Sequence, residues 1–209
     1  MKYKNLIFDY GGVLADLNRE TCVAAFHAIG IDDIDRLLDP CHQRGIFHGI
    51  DEGTATYDEF HAELRRHATR PVTDEQIDDA WCSFLEGIPH YKLDALLELK
   101  QTYHLILLSN ISLLHWNYTC AHHFPYNGHT VGDYFHHLYL SFQEKTTKPD
   151  LRIFRRMIAD SGINPGETLF LDDSDLNCQA AESLGIDTYM PKAREDWRPV
   201  VRRLVNDEG

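Results

Sequence analysis

The chain has 209 residues, 43% hydrophobic and 25% charged, the balance of an ordinary globular domain, which excludes a disordered, collagenous or coiled-coil chain. Asp and Glu number 33 against 20 Lys and Arg, a formal net charge of −13; that field opposes nucleic acid and anionic membranes, so neither is an expected partner. One lysine or one bound cation reverses the sign locally, so a small anionic ligand stays open.

No apolar run approaches a membrane span. The opening stretch Asn5-Leu6-Ile7-Phe8 is too short for a secretory leader and runs into an aspartate. Cys22, Cys41, Cys82, Cys120 and Cys178 are odd in number and never paired as C-x-x-C, the usage expected of free thiols in a cytoplasmic protein.

In chain order, Leu6-Ile7-Phe8 reads as a buried strand ending in Asp9-Tyr10-Gly11-Gly12. Residues 16–87 carry no evident buried strand. Helical spacing covers 21–29, 34–38, 57–67 and 73–85, and Thr73-Asp74-Glu75-Gln76 has the form of a capping box. An amphipathic helix is expected over 92–100. A strand follows, His104-Leu105-Ile106-Leu107-Leu108, ending in Ser109-Asn110. Residues 117–132 read as a long polar and aromatic excursion. The next strand is His137-Leu138-Tyr139-Leu140. Beyond it come Thr146-Thr147-Lys148-Pro149 and a helix over 150–160 with Gly162 as its stop. Thr168-Leu169-Phe170-Leu171 ends in Asp172-Asp173, a helix over 175–184 stops at Gly185, and a last strand is expected over 185–190. Short apolar runs separated by helices predict an α/β fold with a doubly wound parallel sheet. The expected division is a core of residues 1–15 and 88–209 and a helical subdomain of 16–87 inserted after the first strand.

The chemistry collects at strand ends, where ligands bind in open parallel sheets. Asp9, Ser109-Asn110, Lys148 and Asp172-Asp173 are too far apart in the chain to meet except through the sheet. Asp9 can attack phosphorus as a carboxylate nucleophile. The negative charge around a phosphoryl group then needs neutralising, and Lys148 is a fixed cation. Ser109 and backbone N–H groups can donate to phosphate oxygens, and Gly11 and Gly12 permit close backbone approach. Asp9, Asp172 and Asp173 would crowd carboxylates together, which is costly without a cation; Mg²⁺, with its preference for oxygen ligands, fits.

Phe8-Asp9-Tyr10-Gly11-Gly12-Val13-Leu14, Leu107-Leu108-Ser109-Asn110, Lys148-Pro149, and Leu171-Asp172-Asp173-Ser174 with Asn177 resemble, in order, the four motifs of the haloacid dehalogenase superfamily. The resemblance spans almost the whole chain, and the helical insertion stands where many members carry a cap. It implies a Rossmann-like core with a helical cap, and a Mg²⁺-dependent phosphatase acting on a small phosphorylated metabolite, sugar phosphates among them, through an aspartyl-phosphate. It implies Asp9 as nucleophile and Gly11, Gly12, Ser109, Asn110 and Lys148 around the phosphate. The metal would be held by Asp9, the Gly11 carbonyl and Asp173, with Asp172 orienting waters or Lys148.

One departure matters. Most phosphatases of the superfamily have a second aspartate two residues after the nucleophile, acting as general acid and then base, where this chain has Gly11. Such a group contributes about 10²–10⁴ in rate. Either the substrate has a good leaving group, or a cap residue such as His48 or Glu52 substitutes, or catalysis is weak. Two alternatives follow: a metal-independent 2-haloacid dehalogenase, and a non-catalytic phosphate-ligand-binding protein. Asp16 is expected to be structural and Asn177 to order its loop. Among 13 histidines, His122-His123 and His136-His137 invite a zinc site, but their spacing gives no convincing ligand geometry. Trp116, Tyr118, Phe124 and Tyr126 are candidates for a homodimer contact.

Overall fold

The computed structural model describes residues 2–38 and 45–206, so Cys41 lies outside the described residues. The chain opens with β1 (Asn5–Phe8) and β2 (Asp16–Leu17). It then runs through α1 (Arg19–Ala28), α2 (Ile34–Leu37), α3 (Gly45–Glu52), α4 (Tyr57–His67) and α5 (Asp74–Cys82), and returns along β3 (Leu85–Gly87). There follow α6 (His90–Lys100), β4 (His104–Ser109), α7 (Leu113–His122), α8 (Val131–Tyr134), β5 (His137–Leu140), α9 (Ser141–Glu144) and α10 (Leu151–Ser161). The last elements are β6 (Thr168–Leu171), α11 (Asp175–Glu182), β7 (Asp187–Tyr189) and α12 (Arg198–Asn206).

The main sheet has the order β5-β4-β1-β6-β7, and every pairing is parallel. The chain lays β4 and β5 on one side of β1, then crosses to lay β6 and β7 on the other. Where the winding reverses, beside β1, the connections leave in opposite directions and open a crevice at the carboxyl ends of the strands. Alternation along each strand feeds two cores. Leu6 and Phe8 pack with Leu105, Leu107 and Leu171 under Trp197 and Phe124. Ile7 packs with Ile106, Leu108 and Phe170 under Ile153, Phe154 and Met157 of α10.

Residues between β2 and β3 form helices with a hydrophobic cluster of their own, in which Phe26, Phe47, Phe60, Ile77 and Trp81 are buried. Side-chain caps set the helix starts: Asn18 accepts from the Thr21 amide, and capping boxes pair Thr56 with Glu59 and Thr73 with Gln76. The insertion is rooted in a short antiparallel ladder, Asp16 opposite Gly87 and Leu17 opposite Leu85. Asp16 sits there 4.0 Å from the Lys92 ammonium and 3.6 Å from the Arg194 guanidinium. Farther out, α3 is fastened to the sheet side. Ser141 Oγ donates to the Asp51 carbonyl at 2.5 Å and Lys145 Nζ to the Gly53 carbonyl at 2.6 Å.

Some elements differ from the sequence reading. The stretch 45–52 is the helix α3; Gly45, Gly49 and Gly53 interrupt its apolar pattern and obscure it in the sequence. The expected excursion 117–132 is helical through His122 as part of α7, whose Ser112 cap accepts from the His115 amide. Its aromatic and β-branched residues are weak helix formers, and burial of His115, Trp116 and Thr119 holds it instead. β7 is shorter than the expected 185–190. Trp116 and Phe124 are buried in the chain's own core, with Tyr118 and Tyr126 packed against it, so the first two present no surface for the dimer contact considered above. His123 Nδ1 lies 2.6 Å from the Tyr10 hydroxyl, and His136 Nδ1 accepts from the Leu105 amide. Among the described residues no helix is long and apolar enough to cross a membrane.

Candidate active site

Asp9 follows β1 and Asp172 follows β6, and the two strands are neighbours with Phe8 opposite Leu171. Register alone therefore brings these carboxylates together. Lys148 enters from the loop after α9. Its ammonium lies 2.9 Å from Asp9 Oδ1 and 2.6 Å from Asp172 Oδ2, and donates to the Leu108 carbonyl at 2.9 Å. An ammonium has three donors, so these partners fix it in place. Asp172 accepts through its other oxygen from the Ser174 amide and the Asn177 side chain, both at 2.9 Å. Asp172 thus orients Lys148, and Asn177 orients Asp172.

Asn110 joins the same group by its amide. Its Oδ1 accepts from the Lys148 amide at 2.8 Å and its Nδ2 donates to the Lys148 carbonyl at 2.9 Å. Ser109 ends β4, is buried, and stays behind the cavity wall that Asn110 and Ile111 form. Gly11 is on that wall. Gly12 is not, and its amide is taken by the Ala15 carbonyl at 2.9 Å, so it is no phosphate donor in this arrangement. The need for glycine there is steric. With φ at +74° its backbone is left-handed, and a Cβ would stand 2.0 Å from Asp173 Oδ2.

Burial dominates the electrostatics. It raises the Asp9 carboxyl well above the ordinary range; Lys148 opposes the rise, and Asp172 and Asp173 reinforce it. Asp173 is raised by burial and then by Asp172. Burial would lower Lys148, but Asp172 and Asp9 outweigh it and hold the ammonium above its usual value. Oxygens of Asp9, Asp172 and Asp173 lie within 4.8 Å of one another, so three carboxylates face one ammonium. Excess negative charge on hard oxygen donors suits a divalent cation such as Mg²⁺. Both Asp172 oxygens already have partners, which leaves Asp9 and Asp173 as the carboxylates fitted to hold it.

Above this floor is a cavity of about 780 Å³. The insertion supplies its roof, including Arg19, Phe47, His48, Asp51 and Trp81; His115 of α7 closes one side. Of the two residues considered as replacements at Gly11, His48 lines the cavity and Glu52 does not. Asp51 and His115 line it and were not singled out from the sequence. The signal for Asp51 was a carboxylate falling on the apolar helical face of Phe47 and Ile50.

A family model of haloacid dehalogenase-like hydrolases matches residues 3–185. The chain belongs to that family. Its membership makes the protein a hydrolase and accounts for the four loops that meet at Asp9. The D-ribitol-5-phosphate phosphatase of Bacteroides thetaiotaomicron is 39% identical over 203 residues, covering 97% of this chain and 98% of the relative. A crystal structure of a family enzyme from the same bacterium, a variant in complex with magnesium and inorganic phosphate, superposes with a TM-score of 0.93 at 45% identity, covering 96% of this chain and 99% of that one. The structure of a predicted family hydrolase from Porphyromonas gingivalis gives a TM-score of 0.92 at 39% identity over the full length of both chains.

Proposed function

We propose that the protein is a Mg²⁺-dependent phosphatase of a small phosphorylated metabolite, a sugar or polyol phosphate, acting through an aspartyl-phosphate on Asp9. The observation that carries this reading is the Lys148 ammonium held between Asp9 and Asp172, at 2.9 and 2.6 Å, with Asp173 beside them. It is supported by the 39% identical relative that is a D-ribitol-5-phosphate phosphatase and by the magnesium and phosphate complex of the 45% identical enzyme. The carboxylate cluster also favours a metal-dependent reaction over the metal-independent dehalogenase.

Asp9 attacks phosphorus in line with the leaving oxygen. Lys148 neutralises charge on the phosphoryl oxygens, and Asp172 keeps it aimed. Asn110 and the backbone N–H groups after β1 and β4 orient the phosphoryl group, with Ser109 supporting them from the strand end. Mg²⁺, held by Asp9, the Gly11 carbonyl and Asp173, supplies further positive charge at the phosphoryl oxygens when bound. Residues 16–87 act as a cap that excludes bulk water and selects the leaving group.

The test is turnover of phosphorylated sugars and polyols, D-ribitol 5-phosphate among them, with Mg²⁺ or with EDTA. Turnover is expected with Mg²⁺ and its loss with chelator. Asp9→Asn is expected to lower kcat by about 10⁴-fold or more while the circular dichroism spectrum is unchanged. Comparable activity in the folded variant removes Asp9 from the nucleophile role.

A further inference from the structure

We infer that Asp51, on the helix roofing the cavity, is the acid and then the base of the reaction, in place of the side chain that Gly11 lacks. The inference rests on the phosphatase reading above. Gly11 lies on the cavity floor with no group to give or take a proton, and Leu17 occupies the space beside it, 3.1 Å from where a Cβ would stand. A proton carrier must therefore come from elsewhere on the cavity wall.

Asp51 is on that wall, as is Asp9. Its place over the strand ends is fixed through its own backbone. Ser141 Oγ donates to the Asp51 carbonyl and accepts from the Ile111 amide at 2.9 Å. Ile111 adjoins Asn110, which holds the Lys148 backbone at 2.8 and 2.9 Å. The roof residue and the phosphate-holding loop thus share one hydrogen-bonded frame. Asp51 is only 7% exposed, and burial pushes its carboxyl up to about 7. A group that alternates between acid and base works best with a pKa near the operating pH.

The two histidines of the wall suit the task less. His48 shares α3 and lines the cavity, but its side chain is 32% exposed and stands 4.0 Å from Glu52. His115 is held neutral down to about 4 by burial, and its Nε2 is engaged with the Trp81 carbonyl at 3.0 Å.

In the first step an Asp9 oxygen bonds to phosphorus, the phosphorus–ester oxygen bond breaks, and the departing oxygen takes the Asp51 proton to leave as the alcohol. In the second, Asp51, now a carboxylate, takes a proton from water whose oxygen bonds to phosphorus. The phosphorus–Asp9 bond breaks, releasing phosphate and restoring both carboxyl groups.

The test compares an alkyl phosphate with p-nitrophenyl phosphate, whose leaving group needs no proton. For Asp51→Asn, kcat/KM on the alkyl ester is expected to fall by about 10²–10⁴ while that on the aryl ester stays within about tenfold. Because the second step still needs a base, the variant is expected to release a burst of nitrophenolate equal to the enzyme, then turn over slowly. Equal losses of kcat/KM on both esters would mean a structural role and overturn the inference. A raised KM on the alkyl ester alone, with no burst, would make Asp51 a hydroxyl-binding group and overturn it too. The unmodified protein gives a reading that needs no variant: kcat/KM across a series of esters should depend shallowly on leaving-group pKa, and a steep dependence contradicts a proton donor. If the unmodified protein hydrolyses neither ester with Mg²⁺, the phosphatase reading itself fails; if it hydrolyses both and Asp51→Asn behaves identically, only the role of Asp51 falls.

Discussion

At the scale of single residues, Lys148 joins stability to chemistry. Its ammonium is buried with all three donors engaged, two of them on carboxylates. Removing one partner of such a group leaves the others uncompensated at a cost of about 3–5 kcal/mol. Lys148→Met should lower the urea-unfolding free energy by about that much, as well as abolishing turnover; an unchanged midpoint would show that the carboxylates tolerate its loss. Lys148, Asp9 and the Asp172-Asp173 pair were legible in the sequence because each follows an unmistakable apolar strand, or the loop after one, and parallel strands put their ends side by side. Gly12 and Ser109 were legible as positions but not as contacts. The Gly12 amide turns back to Ala15, and Ser109 sits behind Asn110. Asp51 left only one mark in the sequence, a carboxylate on the apolar face of Phe47 and Ile50; its place at the site comes from the docking of α3 beside Ser141 and Ile111, which no local pattern encodes.

At the scale of elements, α10 and α7 mark the limits of reading periodicity. In α10, Ile153, Phe154 and Met157 make a clean apolar stripe, Asp150 caps its start, and Gly162 in the left-handed region ends it. In α7, His115 is buried with the Trp81 ring stacked on it at 4.4 Å. That polar face reads as a loop until tertiary contacts are known. The same burial has a pH signature. His115 stays neutral in the fold down to about 4, mainly through burial, whereas an unfolded histidine takes a proton below about 6.5. Between those values the unfolded chain binds more protons, so this group makes stability rise with pH and costs up to about 2 kcal/mol at pH 5. His115→Gln removes that contribution. Urea unfolding at pH 7 and pH 5 should therefore show the variant losing less stability on acidification than the unmodified protein. Parallel losses would place the titration elsewhere.

At the scale of the whole molecule, the contacts around α3 and α9 are one of the places where the roof is held to the sheet side, beside the Trp81–His115 contact with α7. Gly53 is the tightest of them. Its φ is +69°, and a Cβ would lie 2.3 Å from the Phe142 carbonyl oxygen. Gly53→Ala should loosen α3 by about 1–2 kcal/mol, speeding amide exchange in that helix by about tenfold while the central strands keep their protection. Unaltered exchange in α3 would mean that the contact reshapes without cost. The roots of the roof lie apart from this fastening, in the β2–β3 ladder, where Leu17 stands directly across from Leu85. Departure and return share one doorway, so the strands beneath meet the same two anchor points whatever is threaded between them. Ancestral variation in length, helix number or lining could accumulate in that loop of chain without shifting Asp9 relative to Lys148, and new leaving groups could be sampled over an unchanged phosphoryl-handling floor.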